Sequence, residues 1–313
     1  MPLDPDLASA LRDIDEESLP ADLEGPALVA AARRIHERKA VTVTPPERRA
    51  HVGHVADRAI PGPAGSVPVR IYEPDSSAGP RPAVVWLHGG GWITGSLDTA
   101  DTLARAVCAA LDAIVVSVDY RLAPEHPWPA GLEDSLAALR WTAAHAADLG
   151  IDGGRIVIGG DSAGGNLAAV VAQHPDRPDL AAQLLLYPAV DLDAAADYPS
   201  RSQNATGYGL TLDDAAISFS LYPGGADVSD PRISPLHAPS FRGLPPAVVA
   251  VAEYDPLRDE GIAYAARLAD AGVPVQLHQG TGLAHGCFDM LGTVGAAREE
   301  LRKILSGISS NLS

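Results

Sequence analysis

Six short runs of continuous apolar character recur along the chain, at 83–87, 113–118, 155–158, 182–187, 247–252 and 273–277. Runs of that length suit strands buried on both faces, which is the pattern of a parallel sheet. Helical periodicity lies between them. In 132–147 apolar residues stand at 132, 136, 139 and 143, and 166–173, 261–271 and 294–305 are further helical stretches. Strand alternating with helix predicts βαβ units with right-handed crossovers. Upstream, 51–60 and 67–73 alternate apolar and polar residues around a Pro/Gly turn at 61–65, the pattern of an antiparallel hairpin. The first 40 or so residues read as helical, with Leu7, Leu11 and Ile14 on one face and a second run at 26–36. The alternation breaks only at 191–235, a loop rich in Asp, Ser and Gly with a helix near 212–221. The expectation is an α/β protein with a mostly parallel eight-stranded sheet flanked by helices, and an insertion above the carboxyl ends of the strands.

Composition narrows the function classes. Of 313 residues, 46% are hydrophobic and 20% charged, enough for a sizeable core. The 30 glycines and 27 prolines are scattered between apolar runs and punctuate structure rather than forming a low-complexity tract. A formal net charge of −17 argues against a nucleic-acid partner and against a polybasic membrane anchor. Cys108 and Cys287 fit neither a metal knuckle nor a disulfide framework. The acidic start lacks a basic region followed by an apolar run, and no stretch reaches the roughly 20 apolar residues of a membrane span. A cytoplasmic protein is the default expectation, and the last strand leaves a homodimer open.

Chemistry concentrates in a few places. Gly160-Asp161-Ser162-Ala163-Gly164 follows an apolar run and opens a helix, the setting of a nucleophile elbow. His88-Gly89-Gly90-Gly91-Trp92 follows another run, and consecutive glycines let backbone amides approach a substrate oxygen. A phosphate cradle fits poorly, because neither GxGxxG nor a Walker lysine is present. The expected oxyanion donors are the amides of Gly89, Gly90 and Ala163. A serine needs a base. His285, just past the last apolar run, suits that role better than His278 within the strand or His126 before the serine. His36, His51 and His54 read as surface or packing residues, and His88 as a shaper of its loop. Asp255, at the end of the run 247–252, is the expected orienter, better placed than Asp259 or Glu260.

Together HGGGW, DYRLAPEHPWPA, GDSAGG, AEYDPLRDEG and the late His-Gly resemble the hormone-sensitive-lipase-like family of bacterial esterases. The resemblance runs from about residue 60 to the end. It implies an α/β-hydrolase core at 46–190 and 236–313, with a helical cap from 1–45 and 191–235. It also implies a Ser162, His285, Asp255 triad acting through an acyl-enzyme on short- to medium-chain acyl esters, with a small-molecule ester as partner and no metal or organic cofactor. Trp92, Tyr187, Tyr208, Phe219, Leu257 and Phe288 are candidates for the substrate pocket. One departure is visible, since Cys287 stands between the His-Gly and Phe288 where the family usually has phenylalanine at once. Plant hormone receptors share the fold without hydrolysis and are marked by loss of the histidine, which is present here. Amide hydrolysis by the same residues stays open.

Overall fold

A computed structural model describes residues 2–15, 23–76 and 79–312. Residues 16–22 of the expected N-terminal cap, and the side chain of Ile14, lie outside the described residues. The chain builds one eight-stranded sheet in the order β1-β2-β4-β3-β5-β6-β7-β8. Its strands are β1 (His54–Gly62), β2 (Gly65–Glu73), β3 (Arg81–Leu87), β4 (Ile114–Val118), β5 (Ile151–Asp161), β6 (Ala182–Leu186), β7 (Ala247–Tyr254) and β8 (Val275–Ala284). β1 and β2 form the expected hairpin, and β2 also runs antiparallel to β4. Among the strands only β2 therefore opposes the rest. β5 and β8 extend well beyond their apolar runs, β5 through the buried Gly159, Gly160 and Asp161 and β8 to the buried Ala284.

Side chains alternate across the sheet into two cores. From β3, Ala83, Val85 and Leu87 face one core while Val84 and Trp86 face the other. The first core is roofed by α4 (Ala130–Ala144), α5 (Ala163–Gln173) and α8 (Arg258–Asp270). The second is covered by α3 (Asp101–Leu111) and α9 (Gly295–Ser309). Both faces being covered explains why the central strands read as continuous apolar runs. Helix α3 is absent from the expected elements, although Leu103, Val107 and Leu111 repeat at helical spacing and are buried.

The remaining helices are α1 (Pro5–Asp15), α2 (Gly25–Val43), α6 (Pro199–Gln203) and α7 (Leu212–Leu221). Asp4 starts α1 by accepting the amides of Asp6 and Leu7 through Oδ1, and Leu7 and Leu11 are buried beneath it. α7 begins at a capping box in which Thr211 and Asp214 satisfy each other's backbone amides. α2 and α7 both border a cavity at the carboxyl ends of the parallel strands.

Candidate active site

β5 ends at Asp161, α5 begins at Ala163, and Ser162 sits between them at φ 54°, ψ −118°. A left-handed conformation is strained for a residue with a Cβ, and surrounding structure must impose it. Glycines make that possible. β5 pairs with β3 so that Gly160 lies opposite Leu87. A Cβ on Gly164 would overlap the Leu87 carbonyl oxygen, and one on Gly160 would overlap the Gly164 carbonyl. Without side chains at these positions, the start of α5 backs directly onto the end of β3. The Ser162 amide is held by Leu186 O at 2.8 Å, which ties the turn to β6.

Two other strands deliver partners to the same edge. β8 ends at Ala284, immediately before His285, and β7 ends at Tyr254, immediately before Asp255. His285 Nε2 lies 2.9 Å from Ser162 Oγ, and its Nδ1 lies 2.7 Å from Asp255 Oδ2. Carboxylate oxygens accept, so Nδ1 carries the proton and Nε2 presents its lone pair to the serine hydroxyl. Asp255 is fully buried, and its Oδ1 accepts the Leu257 amide at 2.8 Å. Asn204, just after α6, donates Nδ2–H to the carbonyls of Asp255 and Glu253 at 3.1 and 3.2 Å. Those bonds fix the backbone carrying Asp255. Tyr187 packs its ring 4.6 Å from that of His285.

The glycine loop after β3 is pinned through its carbonyls. His88 Nδ1–H donates to Gly89 O at 2.8 Å. The same ring stacks on Tyr120 at 4.3 Å, and Tyr120 Oη–H donates to His88 O at 2.7 Å. Gly90 O accepts the amides of Ile93 and Thr94 at 3.2 and 2.9 Å, and the Thr94 hydroxyl at 2.9 Å. A trans peptide points its N–H opposite its C=O. Pinning Gly89 O and Gly90 O therefore turns the amides of Gly90 and Gly91 the other way, and both residues line the cavity. The Gly89 amide faces the Asp161 carboxyl, which fills the space a Gly89 side chain would need. Burial pushes the Asp161 carboxyl well above the usual range, and neighbouring Asp289 adds to that. Burial pushes Asp289 up to about 6, with His285 pulling it back. Burial also pulls His88 down to about 4, partly offset by its bond to Gly89 O.

The cavity encloses about 870 Å³ and reaches Ser162, Ala163, Gly89, Gly90 and His285. Of the expected pocket residues, Trp92, Tyr187, Phe219 and Leu257 line it. Tyr208 and Phe288 do not. Tyr208 pairs with Tyr254, ring centroids 4.7 Å apart, and Phe288 stacks behind Tyr187 at 5.5 Å. The turn Cys287–Met290 sends both Cys287 and Phe288 into the core. Asp161, Asp289 and Asn204, to which the sequence assigns no role, are set close to this edge, as is His36, expected as a surface or packing residue. Asp161 carried a signal, a carboxylate inside an otherwise small-residue turn. Asn204 carried none. Among the described residues no His/Cys/Asp/Glu group is arranged to hold a metal ion, and no helix is long and apolar enough to cross a membrane.

A family profile of the alpha/beta hydrolase fold matches residues 84–289. The chain belongs to this family. Within it, the hormone-sensitive-lipase-like esterases are its kin. The carboxylic ester hydrolase LipN of Mycobacterium tuberculosis is 43% identical over 294 residues, spanning 90% of this chain and 76% of LipN. An arylesterase of Saccharolobus solfataricus is 35% identical across 91% of this chain and 92% of its own. Among solved structures, a hyperthermophilic esterase from the archaeon Pyrobaculum calidifontis superposes with a TM-score of 0.92 at 36% identity, covering 99% of both chains. The Pyrobaculum esterase shares the α/β-hydrolase sheet described above.

Proposed function

We propose that Ser162, His285 and Asp255 carry the reaction of this carboxylic ester hydrolase as nucleophile, base and orienter. The observation behind the assignment is the continuous relay of 2.9 and 2.7 Å contacts from hydroxyl to imidazole to buried carboxylate. Ser162 Oγ attacks the ester carbonyl while His285 Nε2 takes its proton. His285 then protonates the leaving alcohol, and water activated by the same nitrogen releases the acid from the acyl-enzyme. Asp255 holds the imidazole tautomer and stabilises the transient imidazolium.

The oxyanion donors in this reading are the amides of Gly90, Gly91 and Ala163. Gly91 replaces Gly89, whose amide is turned to Asp161. Ala163 is the first residue of α5, so the positive end of the helix dipole adds to its donation. Each such donor contributes about 3 kcal/mol of transition-state stabilisation. α2 and the segment 191–235 act as a cap over the substrate, and the cavity between cap and sheet suits a small ester with a short to medium acyl chain.

The test is covalent labelling with a fluorophosphonate followed by peptide mass mapping, alongside turnover of p-nitrophenyl acyl esters of increasing chain length. Label confined to Ser162, and a Ser162→Ala protein that is folded and inactive, are expected. Wild-type turnover by purified Ser162→Ala would sink the assignment.

A further inference from the structure

Helix α2 grips the glycine loop through two residues one helical turn apart. Arg33 donates Nε–H to Ile93 O at 2.8 Å and an Nη2–H to Ala123 O at 3.1 Å. Its guanidinium also clasps both Glu125 oxygens, at 2.7 and 2.9 Å. Residues three apart share a helix face, and His36 reaches the same loop. Its Nδ1 lies 2.7 Å from Thr94 Oγ1, and Thr94 Oγ1 lies 2.9 Å from Gly90 O. The direction of this chain follows from chemistry. Gly90 O can only accept, so the threonine hydroxyl spends its one proton there. Thr94 Oγ1 must then accept, and His36 donates from Nδ1. Burial, reinforced by the nearby Lys39 charge, keeps this imidazole neutral by pulling it down to about 4.

We propose that His36 is a positioning residue for the oxyanion site: through Thr94 it holds the Gly90–Gly91 peptide plane, and so aims the Gly91 N–H at the developing oxyanion. This rests on the oxyanion reading given above. The loop needs such support because Gly90 and Gly91, at φ 112° and 61°, have no side chains with which to hold themselves. The three hydrogen bonds converging on Gly90 O oppose rotation of that plane, and the Thr94 hydroxyl bond is the one with a handle outside the loop. That handle is on α2, which also walls the substrate cavity. The helix covering the substrate is thereby coupled to the donor that stabilises the transition state. An interaction realised only as charge develops lowers kcat and leaves KM nearly untouched when lost.

The experiment measures kcat and KM of His36→Ala, His36→Asn, Thr94→Val and the His36→Ala/Thr94→Val double variant, with affinity for an alkyl boronic acid that forms a tetrahedral adduct on the serine. A melting curve for each variant establishes that it is folded. Misaiming one donor, rather than deleting it, is expected to cost about 10- to 100-fold in kcat. His36→Ala and Thr94→Val lose kcat by similar factors with KM within about twofold, and boronate affinity falls in parallel, the pattern for loss of transition-state stabilisation. The double variant is no worse than either single one, because both cut the same chain. His36→Asn, which places an amide N–H near the Nδ1 position, recovers most of the loss. If His36→Ala does not fold, Thr94→Val carries the same comparison. Unchanged kcat in folded His36→Ala and Thr94→Val proteins overturns the proposal, as does a loss confined to KM, or two losses that simply multiply in the double variant. Fluorophosphonate labelling of the wild type separates the two levels. Label at Ser162 with unchanged variant kcat overturns the role of His36 alone, whereas label elsewhere overturns the reading beneath it.

Discussion

Ser162 is held at φ 54° by neighbours that leave it no alternative. Replacing it by glycine removes the steric conflict, so Ser162→Gly is expected to be inactive yet more stable by about 1 kcal/mol. Chemical denaturation of the two proteins measures this. If the variant is less stable, the turn is not strained in the sense argued. Asp255→Asn keeps the shape of the relay but favours the wrong imidazole tautomer, and a fall of about 10⁴ in kcat is expected with little change in fold. Asn204 makes the same point one step removed. Its side-chain amide donates to the backbone of Asp255 and Glu253. Its truncation to alanine should lower kcat about tenfold or less, the scale of one lost neutral hydrogen bond, and steady-state kinetics decide it. Nothing in its local sequence marks Asn204. Its role exists only because the chain after α6 returns beside the end of β7.

At the scale of elements, the segment after β6 is fastened by a buried ionic knot. Glu260 on α8 is fully buried, accepts the amides of Val190 and Asp191 at 2.9 and 3.2 Å, and receives Arg201 at 2.7 Å. Arg201 also donates to Asp191 O at 2.7 Å. Removing one partner of such a pair leaves the other charge buried and uncompensated, which costs about 3–5 kcal/mol. Glu260→Ala is therefore expected to be destabilised by that amount in urea titration, whereas a change under 1 kcal/mol would show that the knot is not holding the segment. The sequence placed Glu260 on the helix after Asp255, but its partner lies far along the chain and could not be inferred from spacing. The strand elements were more legible than the helices. Six continuous apolar runs each mark a strand, while α3, whose Leu103, Val107 and Leu111 recur at helical spacing, runs directly into the apolar stretch of β4 and is not set apart from it by the pattern.

Across the whole molecule, acidity and buried titratable groups set the response to pH. His88 is 2% exposed, and burial lowers it from its usual value to about 4. In the unfolded chain it takes a proton near pH 6.5. Between these values the unfolded state binds more protons, so stability rises with pH across that window and is lost as pH falls through it. The full shift corresponds to about 3 kcal/mol. Carboxyls such as Asp161 are shifted upward and act with the opposite sign, so the comparison must isolate the histidine. Denaturant unfolding of wild type and His88→Asn at pH 6.5 and pH 4.5 does so. The wild type should lose more stability on acidification than the variant, and equal losses would remove His88 from the account.

Local chemistry carried much of this protein in its sequence. Glycines flanking Ser162 report a close backbone approach, and consecutive glycines after an apolar run report exposed amides. Both are properties of a few adjacent residues, so they survive without coordinates. The order Ser162, Asp255, His285 along the chain narrowed the choice among ten histidines. Which amides face the cavity was decided only by tertiary structure. Gly89 and Gly91 are indistinguishable as residues, and they differ because Asp161 occupies one amide while hydrogen bonds to Gly90 O turn the other away from the loop's interior. Phe288 and Tyr208 failed as pocket residues for the same reason, since a side chain's direction depends on what packs behind it. His36 read as packing because its partner, Thr94, is distant in the chain and meets it only when α2 lies across the loop. Sequence spacing reports neighbours along the backbone. Direction in space is set by contacts between segments that share no local pattern.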